Sequence, residues 1–417
     1  MESLKQFTLP HHSIFSHSEI ETFRNETLGC RSVVHLNNAG AGLMPDVVTK
    51  AQLDHIMLEA EMGGYEASAF KAAAVTEFYQ QAALLLNCSP SNIAFTSSAT
   101  DSYTRALSSI PFNAGDVILT DSDDFVSNQI QFLSLKKRLG IRIIHINNAA
   151  VGGVDLNDLQ EKLKHYQPKL LAITHIPTNS GLMQPVDDIA KIYDDYSRTA
   201  GDKTWYILDA CQSVGQMKLD VQKLRCDFLS FTGRKFLRGP RGTGVLYISD
   251  YALKQGLEPM FIDMRGAEWT DKDAYKQQPD AKRFEDWEFA YSTVIGTMEA
   301  IKYCRNIGED RIWQHVKLLS GMLRAELAGT DKVKVFDRGP MQGGLVTFNV
   351  ENSDPAYIVS ELAKRKINVV PSYRAFGLID FDEKGVKWVV RASPHYYNTA
   401  SEIEYFLESL KEIIKTK

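Results

Sequence analysis

Cysteine is scarce in this sequence, and long apolar segments are absent. Among 417 residues, the scattered cysteines are Cys30, Cys88, Cys211, Cys226 and Cys304. An odd number of scattered cysteines without a Cys-x-x-Cys pair argues against a disulfide framework, a zinc site or a redox motif, so we expect reduced, mostly buried thiols. No apolar run approaches the roughly 20 residues of a membrane-spanning helix, and residues 1–7 lack the apolar core of a signal peptide. We therefore expect a cytoplasmic protein that does not contact membranes.

An excess of positive charge is also missing. The net charge is −5 at pH 7, which gives no general attraction to nucleic acid or to anionic lipid. With 44% hydrophobic residues the chain can bury a large core, and its length exceeds the usual size of a single core. We expect an N-terminal arm at 1–45, a large domain at 46–290 and a small domain at 291–417.

The most informative residue is Lys235, which lies between two apolar segments. Residues 228–231 precede it, and 244–248 follow a glycine-rich reversal, so the spacing predicts two buried strands and a turn that presents the lysine. Burial favours the neutral form of a lysine amine, because the charged form loses its hydration. Since a neutral amine attacks carbonyl carbons, Lys235 is predicted to form a Schiff base.

A second candidate, Asp209, directly follows the apolar residues 205–208. This pattern places the carboxylate at the end of a strand, where α/β proteins bind their ligands. Pyridoxal phosphate needs such a partner, because a carboxylate raises the pKa of the ring nitrogen and keeps it protonated as an electron sink. Asp209 and Lys235 together therefore predict a pyridoxal-phosphate site.

Apolar runs of strand length alternate with helical patterns over about residues 45–250. This alternation predicts an α/β fold with a mostly parallel sheet covered by helices on both faces. The predicted strands are 92–96, 116–120, 141–146, 170–174, 205–208, 228–231 and 244–248, and residues 47–78 have continuous helical spacing. After a polar stretch at 270–283, a small α+β domain is predicted, with helices at 293–305, 312–327, 355–364 and 401–414 and strands at 344–350, 367–370 and 388–391.

Residues 95–106 form a candidate phosphate site. An apolar strand runs into small and hydroxyl residues and then into a helix start. Such a helix start offers free backbone N–H groups and a positive dipole end to an anion. Ser and Thr also cap many helices for structural reasons alone, but the proximity of the predicted Asp209 and Lys235 favours phosphate binding.

Four segments together resemble the class V aminotransferase family, which includes cysteine desulfurases, selenocysteine lyases, kynureninases and isopenicillin N epimerase-like proteins. They are 95–103, Asp209-Ala-Cys-Gln212, Thr232-Gly-Arg-Lys235 and 390–399, and the resemblance runs from His35 to Asn398. It implies the type I fold of pyridoxal-phosphate-dependent transferases, similar to aspartate aminotransferase. It also implies pyridoxal 5'-phosphate as cofactor, an amino-acid substrate and a homodimer with shared active sites.

The resemblance implies roles for individual residues. The implied catalytic residues are Lys235, Asp209 and His175. The implied cofactor-binding residues are Ala99, Thr100, Phe125, Asp209, Gln212, Thr232 and Lys235, and the implied substrate-binding residues are Arg391, Asn179 and Tyr65. Phe125 would stack on the ring, Gln212 would donate to the phenolic oxygen, and Arg391 would grip the α-carboxylate with two hydrogen bonds. Each residue alone also suits a structural role, and His175 fits a packing histidine equally well.

Three departures from the family pattern narrow the activity. Cysteine desulfurases of this fold carry a nucleophilic cysteine shortly before the carboxylate-binding arginine, but residues 370–377 contain none and no cysteine follows Cys304. Arg234 replaces the common histidine before the lysine. Glu288 replaces a small hydroxyl residue that reaches the neighbouring subunit's phosphate, a role that Tyr291 or Ser292 could take.

Residues 59–67 and 174–185 resemble the branch that contains ergothioneine-pathway carbon–sulfur lyases. These enzymes cleave a cysteine-derived sulfoxide by β-elimination and need no nucleophilic cysteine. We therefore predict β-elimination with Lys235 as the base, and residues 62–65 and 373–376 near the leaving group. The alternatives are a class V aminotransferase, in which Lys235 returns the proton to the cofactor, and an epimerase, which would need His175 or Tyr65 as a second base. A cofactor-binding regulator is disfavoured, because the sequence carries no DNA-binding extension.

Overall fold

A computed structural model describes residues 14–199 and 203–416. Residues 1–13 of the predicted arm lie outside the described part of the chain. No helix of the described residues combines the length and apolarity that a membrane span requires. All five cysteines are free, but the expectation of mostly buried thiols is wrong, because Cys226 and Cys304 are buried whereas Cys30, Cys88 and Cys211 are only half-buried.

Fifteen strands were assigned in the described residues. They are β1 (Val34–His35), β2 (Ile93–Thr96), β3 (Val117–Thr120), β4 (Arg142–His145), β5 (Leu170–Thr174), β6 (Trp205–Asp209), β7 (Phe228–Thr232), β8 (Gly244–Ile248), β9 (Ala267–Asp271), β10 (Ala274–Gln277), β11 (Val333–Val335), β12 (Val346–Val350), β13 (Ile367–Asn368), β14 (Val370–Tyr373) and β15 (Trp388–Ala392).

Fifteen α-helices were found in the described residues. They are α1 (His17–Asn25), α2 (Asp46–Met62), α3 (Gly64–Phe70), α4 (Ala72–Leu86), α5 (Ala99–Ser109), α6 (Val126–Leu139), α7 (Leu156–Tyr166), α8 (Val186–Ser197), α9 (Val221–Leu224), α10 (Asp250–Lys254), α11 (Tyr291–Ile307), α12 (Glu309–Ala328), α13 (Pro355–Lys364), α14 (Leu378–Lys384) and α15 (Ala400–Lys415). Short 3-10 helices occupy Leu28–Arg31, Pro90–Asn92, Ala281–Phe284 and Arg374–Phe376.

The main sheet has seven strands in the order β2-β8-β7-β6-β5-β3-β4. Strands β3 to β7 are mutually parallel, whereas β8 runs antiparallel to both of its neighbours. The predicted α/β fold with a mostly parallel sheet is confirmed, and each of the seven predicted strands is present. Because the parallel strands all end at one edge, their carboxyl ends bring the segments after β5, β6 and β7 together.

The helical spacing predicted at 47–78 is confirmed, but the helix is interrupted twice. The structure has three helices there, α2, α3 and α4. The first break falls at Gly63, whose φ of 96° is incompatible with a right-handed helix. A second break follows at Lys71. Helical spacing alone therefore did not reveal the two interruptions of the helix.

The polar stretch predicted at 270–283 contains structure that periodicity missed. Strands β9 and β10 form an antiparallel hairpin, most of whose residues are exposed. Exposed strands lack the apolar alternation on which a strand prediction rests. Likewise, 367–370 is not one strand, because β13 pairs with β1 near the N-terminus while β14 joins the small sheet.

The small sheet is antiparallel and has the order β11-β12-β15-β14. It forms a separate core with α12, α13 and α15, which agrees with the predicted α+β character of this region. Helix α11 packs against α2 and α4 beside the main sheet. The division into 46–290 and 291–417 remains a prediction.

Candidate active site

The predicted cofactor-binding residues surround one cavity at the carboxyl edge of the main sheet. All seven line it: Ala99, Thr100, Phe125, Asp209, Gln212, Thr232 and Lys235. They come from four separate segments: the start of α5, the loop before α6, the end of β6 with its following turn, and the end of β7 with its following loop. The sheet topology therefore brings together residues that are up to 136 positions apart in sequence. Their individual roles remain predictions.

Lys235 is almost fully buried in the loop between β7 and β8, with 7% of its surface exposed. Burial lowers the pKa of its amine below the ordinary value; Arg234 and Arg391 act in the same direction, and Asp209 opposes them. Its Nζ lies 5.9 Å from the centroid of the Phe125 ring. The environment thus favours the neutral, nucleophilic amine that the sequence predicts.

Asp209 is the last residue of β6 and is also buried. Its Oδ1 accepts a hydrogen bond of 2.9 Å from the Cys211 backbone N–H, and its Oδ2 accepts one of 3.2 Å from Asn128 Nδ2. Among the described residues, no lysine or arginine forms a salt bridge with it. A buried carboxylate that lacks a cationic partner can accept a proton-bearing ligand nitrogen.

The start of α5 forms the candidate phosphate site. Ser98 is the N-cap, and its Oγ accepts a hydrogen bond of 3.1 Å from the Asp101 N–H. The first N–H groups of a helix have no partner within it, so those of Ala99 and Thr100 can bind an anion. Gly244 permits this arrangement, because a Cβ there would lie 2.2 Å from the Ser98 carbonyl carbon.

Arg391 lies on β15 behind the cavity, 8% exposed. Its Nη1 donates to the carbonyl oxygen of Thr178 at 2.7 Å and to the Thr178 hydroxyl at 2.9 Å, while its buried Nε has no hydrogen-bond partner. Burial and the nearby Arg234 lower its pKa to about 10. Arg391 is not itself part of the cavity wall, but Thr178, which it holds, is.

Gln212 and Asn179 have their amides committed to protein groups. Gln212 Nε2 donates to the Ala39 carbonyl at 3.2 Å and to the Thr178 hydroxyl at 3.0 Å. Donation to a cofactor oxygen would require one of these bonds to be exchanged. Asn179 does not line the cavity. Its Nδ2 donates to the Phe376 carbonyl at 2.7 Å, and its Oδ1 accepts from the Ser372 hydroxyl at 2.5 Å, so it fastens the 372–376 segment to the main sheet.

His175 and Tyr65, like Arg391 and Asn179, do not line the cavity. Thr174 and Ile176 line it, but His175, between them, faces the opposite side and lines a second cavity with Met183 and Gln184. His175 Nδ1 bonds the Ser213 hydroxyl at 2.8 Å, and burial lowers the pKa of His175 to about 4. Tyr65 lies on α3 with 77% of its surface exposed, so this chain alone does not bring it to the site.

The residues that depart from the family pattern lie in or near the same cavity. Arg234 lines the cavity, and one of its Nη groups donates to the Gly40 carbonyl. Glu288 is exposed and lines a neighbouring cavity that shares Gly242 with the main one. Cys211 lines the main cavity too, but burial raises the pKa of its thiol well above the ordinary value.

Sequence reasoning missed the residues that hold Asp209. Asn128 lines the cavity and bonds both Asp209 and Asp124. Thr174 also lines it, and its hydroxyl donates to Asp124 at 2.6 Å. The available signal was weak: Asp124 and Asn128 are four residues apart at the start of a helical segment, a spacing that places side chains next to each other.

The site fits pyridoxal phosphate in three respects that depend on separate residues. The dehydrated Lys235 amine suits an aldehyde, the start of α5 suits a phosphate, and the unpaired Asp209 carboxylate suits a protonated ring nitrogen. These groups line the same cavity. The donor set therefore agrees with the cofactor that the resemblance implies.

Comparisons with known proteins agree with this geometry. The family model described as Aminotransferase class-V matches residues 33–406. A probable cysteine desulfurase of Pyrococcus abyssi is 29% identical over 95% of this chain and 98% of its own length, and one of Borreliella burgdorferi is 30% identical over 78% of each. The apo structure of a cysteine desulfurase from Thermococcus onnurineus superposes with a TM-score of 0.86 at 27% identity, covering 95% of this chain and 98% of that one. The chain belongs to the class V aminotransferase family.

Proposed function

We propose that this chain, a pyridoxal-phosphate-dependent enzyme, cleaves the carbon–sulfur bond of a cysteine-derived amino acid by β-elimination. The products would be a thiol or related sulfur compound, pyruvate and ammonia. The observation that carries the proposal is a cavity lined by a buried lysine and a buried aspartate, in which burial raises the pKa of the one lining thiol, Cys211, well above its ordinary value. The relatives from Pyrococcus abyssi and Thermococcus onnurineus are named for chemistry at the same bond.

Elimination and desulfuration differ in the fate of the sulfur atom. In elimination the sulfur leaves with its own substituent, whereas in desulfuration it is transferred to a cysteine of the enzyme as a persulfide. Segment 370–377, which precedes Arg391 in the chain, carries no cysteine, and it is bonded by Asn179 of the loop after β5. Cys211 is the one cysteine among the residues that line the main cavity. Its raised thiol pKa is the opposite of what a nucleophilic cysteine requires. A route in which sulfur leaves with its own substituent therefore suits this site better.

Lys235 is the proposed base. Pyridoxal phosphate, when bound, supplies an electron sink for the charge left by breaking a bond at the substrate's α-carbon. Because burial lowers the pKa of Lys235, its free amine would be suited to take the α-proton of a bound amino-acid substrate. The same amine can then return that proton to the departing sulfur.

The other residues would position the reactants. Asp209 would keep a proton on the ring nitrogen, and the start of α5 would hold the phosphate. Phe125, whose ring lies beside Lys235, would cover one face of the ring and exclude water. Arg391, with its free Nε, would bind the substrate carboxylate.

Neither of the two alternatives gains support from the geometry. An epimerase needs a second base on the opposite face, but His175 faces away from the cavity and Tyr65 is exposed on another helix. An aminotransferase uses the same lysine, and differs in where the proton is returned. Product analysis separates it from a lyase.

The test uses purified holoenzyme and a panel of cysteine S-conjugates, with and without a keto acid. Pyruvate and ammonia formed in equal amounts without a keto acid would support elimination. Alanine together with protein-bound persulfide would instead indicate a desulfurase, and turnover only with a keto acid would indicate an aminotransferase. Lys235→Ala should abolish pyruvate formation, whereas Cys211→Ser should keep it. Loss of pyruvate in Cys211→Ser, with its fold and cofactor content intact, would contradict the proposal.

A further inference from the structure

Asp124 is a buried carboxylate beside the site that the proposed chemistry does not use. It lies in the loop between β3 and α6, with 6% of its surface exposed. Its Oδ1 accepts hydrogen bonds from the Phe125 N–H at 2.7 Å, Asn128 Nδ2 at 2.8 Å and the Thr174 hydroxyl at 2.6 Å. Its Oδ2 accepts one from Gln129 Nε2 at 2.9 Å. Four donors therefore converge on one carboxylate that has no cationic partner among the described residues.

The contacts of Asp124 link Phe125 to Asp209, two residues of the predicted cofactor site. Asn128 Nδ2 lies between Asp124 Oδ1 and Asp209 Oδ2, at 2.8 and 3.2 Å. The Phe125 N–H is held by the same Asp124 oxygen. Asp124 thus contacts Phe125, which would cover the cofactor ring. It also contacts Asn128, whose amide bonds Asp209, the predicted partner of the ring nitrogen.

The hydrogen-bonding groups of the Asn128 amide determine which way the amide is oriented. An ionised carboxylate can only accept hydrogen bonds, so the NH₂ group of Asn128, and not its oxygen, must lie between Asp124 and Asp209. Without an acceptor at position 124, the amide could rotate and turn its oxygen toward Asp209. Two acceptors would then face each other in a buried site, and Asp209 would lose one of its two hydrogen bonds.

We propose that Asp124 is a positioning residue that orients the Asn128 amide, and thereby fixes Asp209 as the partner of the cofactor's ring nitrogen. This inference rests on the proposed role of Asp209 but not on the reaction that follows. Burial raises the pKa of Asp124 to about 6, so the carboxyl is mostly ionised at neutral pH, as its four donors require. Asp124 therefore influences cofactor binding without contacting the reacting atoms.

The experiment measures the dissociation constant for pyridoxal phosphate and the pH dependence of the visible absorbance of the reconstituted protein. Asp124→Ala and Asn128→Ala should each weaken binding at least tenfold, about 1.4 kcal/mol. Both should shift the absorbance titration in the same direction as Asp209→Asn. Asp124→Asn retains an oxygen that accepts from Asn128 and should recover most of the loss. Asp124 is proposed to act through Asn128. The double alanine variant should therefore bind pyridoxal phosphate with about the same affinity as the single variant that binds it more weakly.

Asp123 provides a matched control in the same loop. It is buried to a similar extent, but it faces Asp380 of α14 rather than the site. Asp123→Ala should leave binding and absorbance unchanged. The proposal is overturned if Asp124→Ala and Asn128→Ala, folded as judged by circular dichroism, match the wild type, or if Asp123→Ala has the same effect. If Asp209→Asn itself has no effect, the proposal also fails, while pyruvate formation still tests the lyase function independently.

Discussion

Burial sets the chemistry of the individual residues in and around the site. The same loss of hydration lowers the pKa of Lys235, Arg391 and His175 and raises that of Cys211. For Lys235 the effect suits the proposed role of nucleophile and base, and for Cys211 it disfavours the thiolate. His175 gains no comparable function in the described residues, since its imidazole is directed toward Ser213. A lowered pKa alone therefore does not identify a catalytic group, and its position relative to the cavity must be known.

At this scale, His175 should make the stability of the protein depend on pH. Its pKa is about 4 in the folded state, whereas an unfolded imidazole titrates near about 6.5. Between these values only the unfolded state binds the proton, so the free energy of unfolding falls as the pH falls through this window and is unaffected above it. Relative to His175→Asn, the wild type should lose about 2 kcal/mol between about pH 7.5 and about pH 5.

Urea unfolding of the wild type and His175→Asn at several pH values checks this expectation. The asparagine amide can still bond the Ser213 hydroxyl, which limits the structural change to the loss of the titrating group. Parallel curves of stability against pH for the two proteins would contradict the assignment of a buried, neutral imidazole.

Among the elements, two loops that follow adjacent parallel strands build the centre of the site. Asp209 ends β6, Gln212 lies in the turn that follows it, and the loop after β7 carries Lys235. They touch at Gly215, which has a φ of 88°; a Cβ there would lie 2.3 Å from the Phe236 carbonyl carbon and the Leu237 nitrogen. The absence of a side chain at this glycine allows the two loops to pack backbone to backbone.

We expect Gly215→Ala to damage both stability and cofactor binding. Gly115 has the same φ of 88°, but a Cβ added there would have no neighbouring atom within 4 Å, so Gly115→Ala measures the conformational cost alone, about 1 kcal/mol. Gly215→Ala adds displacement of the Lys235 loop and should cost roughly 2 kcal/mol more. Urea unfolding gives both values, and titration with pyridoxal phosphate should show weaker binding only for Gly215→Ala. Equal effects of the two substitutions would argue against a close contact between the loops.

The whole molecule leaves an apolar surface exposed. Helix α2 packs on α11, yet on its outer side Leu53, Ile56 and Met57 are 57%, 50% and 58% exposed. Their i, i+3, i+4 spacing forms a stripe, and exposed stripes of this kind mark protein interfaces. Tyr65 follows on α3, also exposed. A second copy bound at this surface would cover the stripe, in agreement with the predicted homodimer, and would give Tyr65 a route to its neighbour's site.

The homodimer and the contribution of Tyr65 remain predictions that one variant can test. Ile56→Asp places a charge in the stripe and should convert a dimer to a monomer in sedimentation experiments, with weaker cofactor binding as a consequence. Val151→Asp is the control, because Val151 is 65% exposed in a turn elsewhere on the surface. A wild-type protein that sediments as a monomer, or an Ile56→Asp variant that remains a dimer, would disprove this interface.

The local sequence, together with the family resemblance, was sufficient to predict the strands of the main sheet and the residues that line the cavity at its edge. Apolar runs ended by Asp209 and followed by Lys235 predicted strand ends, because strands are short and their ends are marked by polar residues. The seven strands of the main sheet and the set of seven residues around the cavity followed from such patterns and from the family resemblance. Burial of Lys235 between two strands, which determines its pKa, could also be predicted from its apolar neighbours.

Other features could not be predicted from the pattern of apolar residues. The side to which His175 points depends on the alternation of residues as the chain leaves β5, and the break at Gly63 and the hairpin β9–β10 carry no periodic signal. The network of Asp124, Asn128 and Asp209 joins residues from two loops that only the sheet order places together. Local patterns determine which segments are buried, since burial follows from apolar content, but side-chain direction and hydrogen-bond partners depend on packing that the complete tertiary structure alone defines.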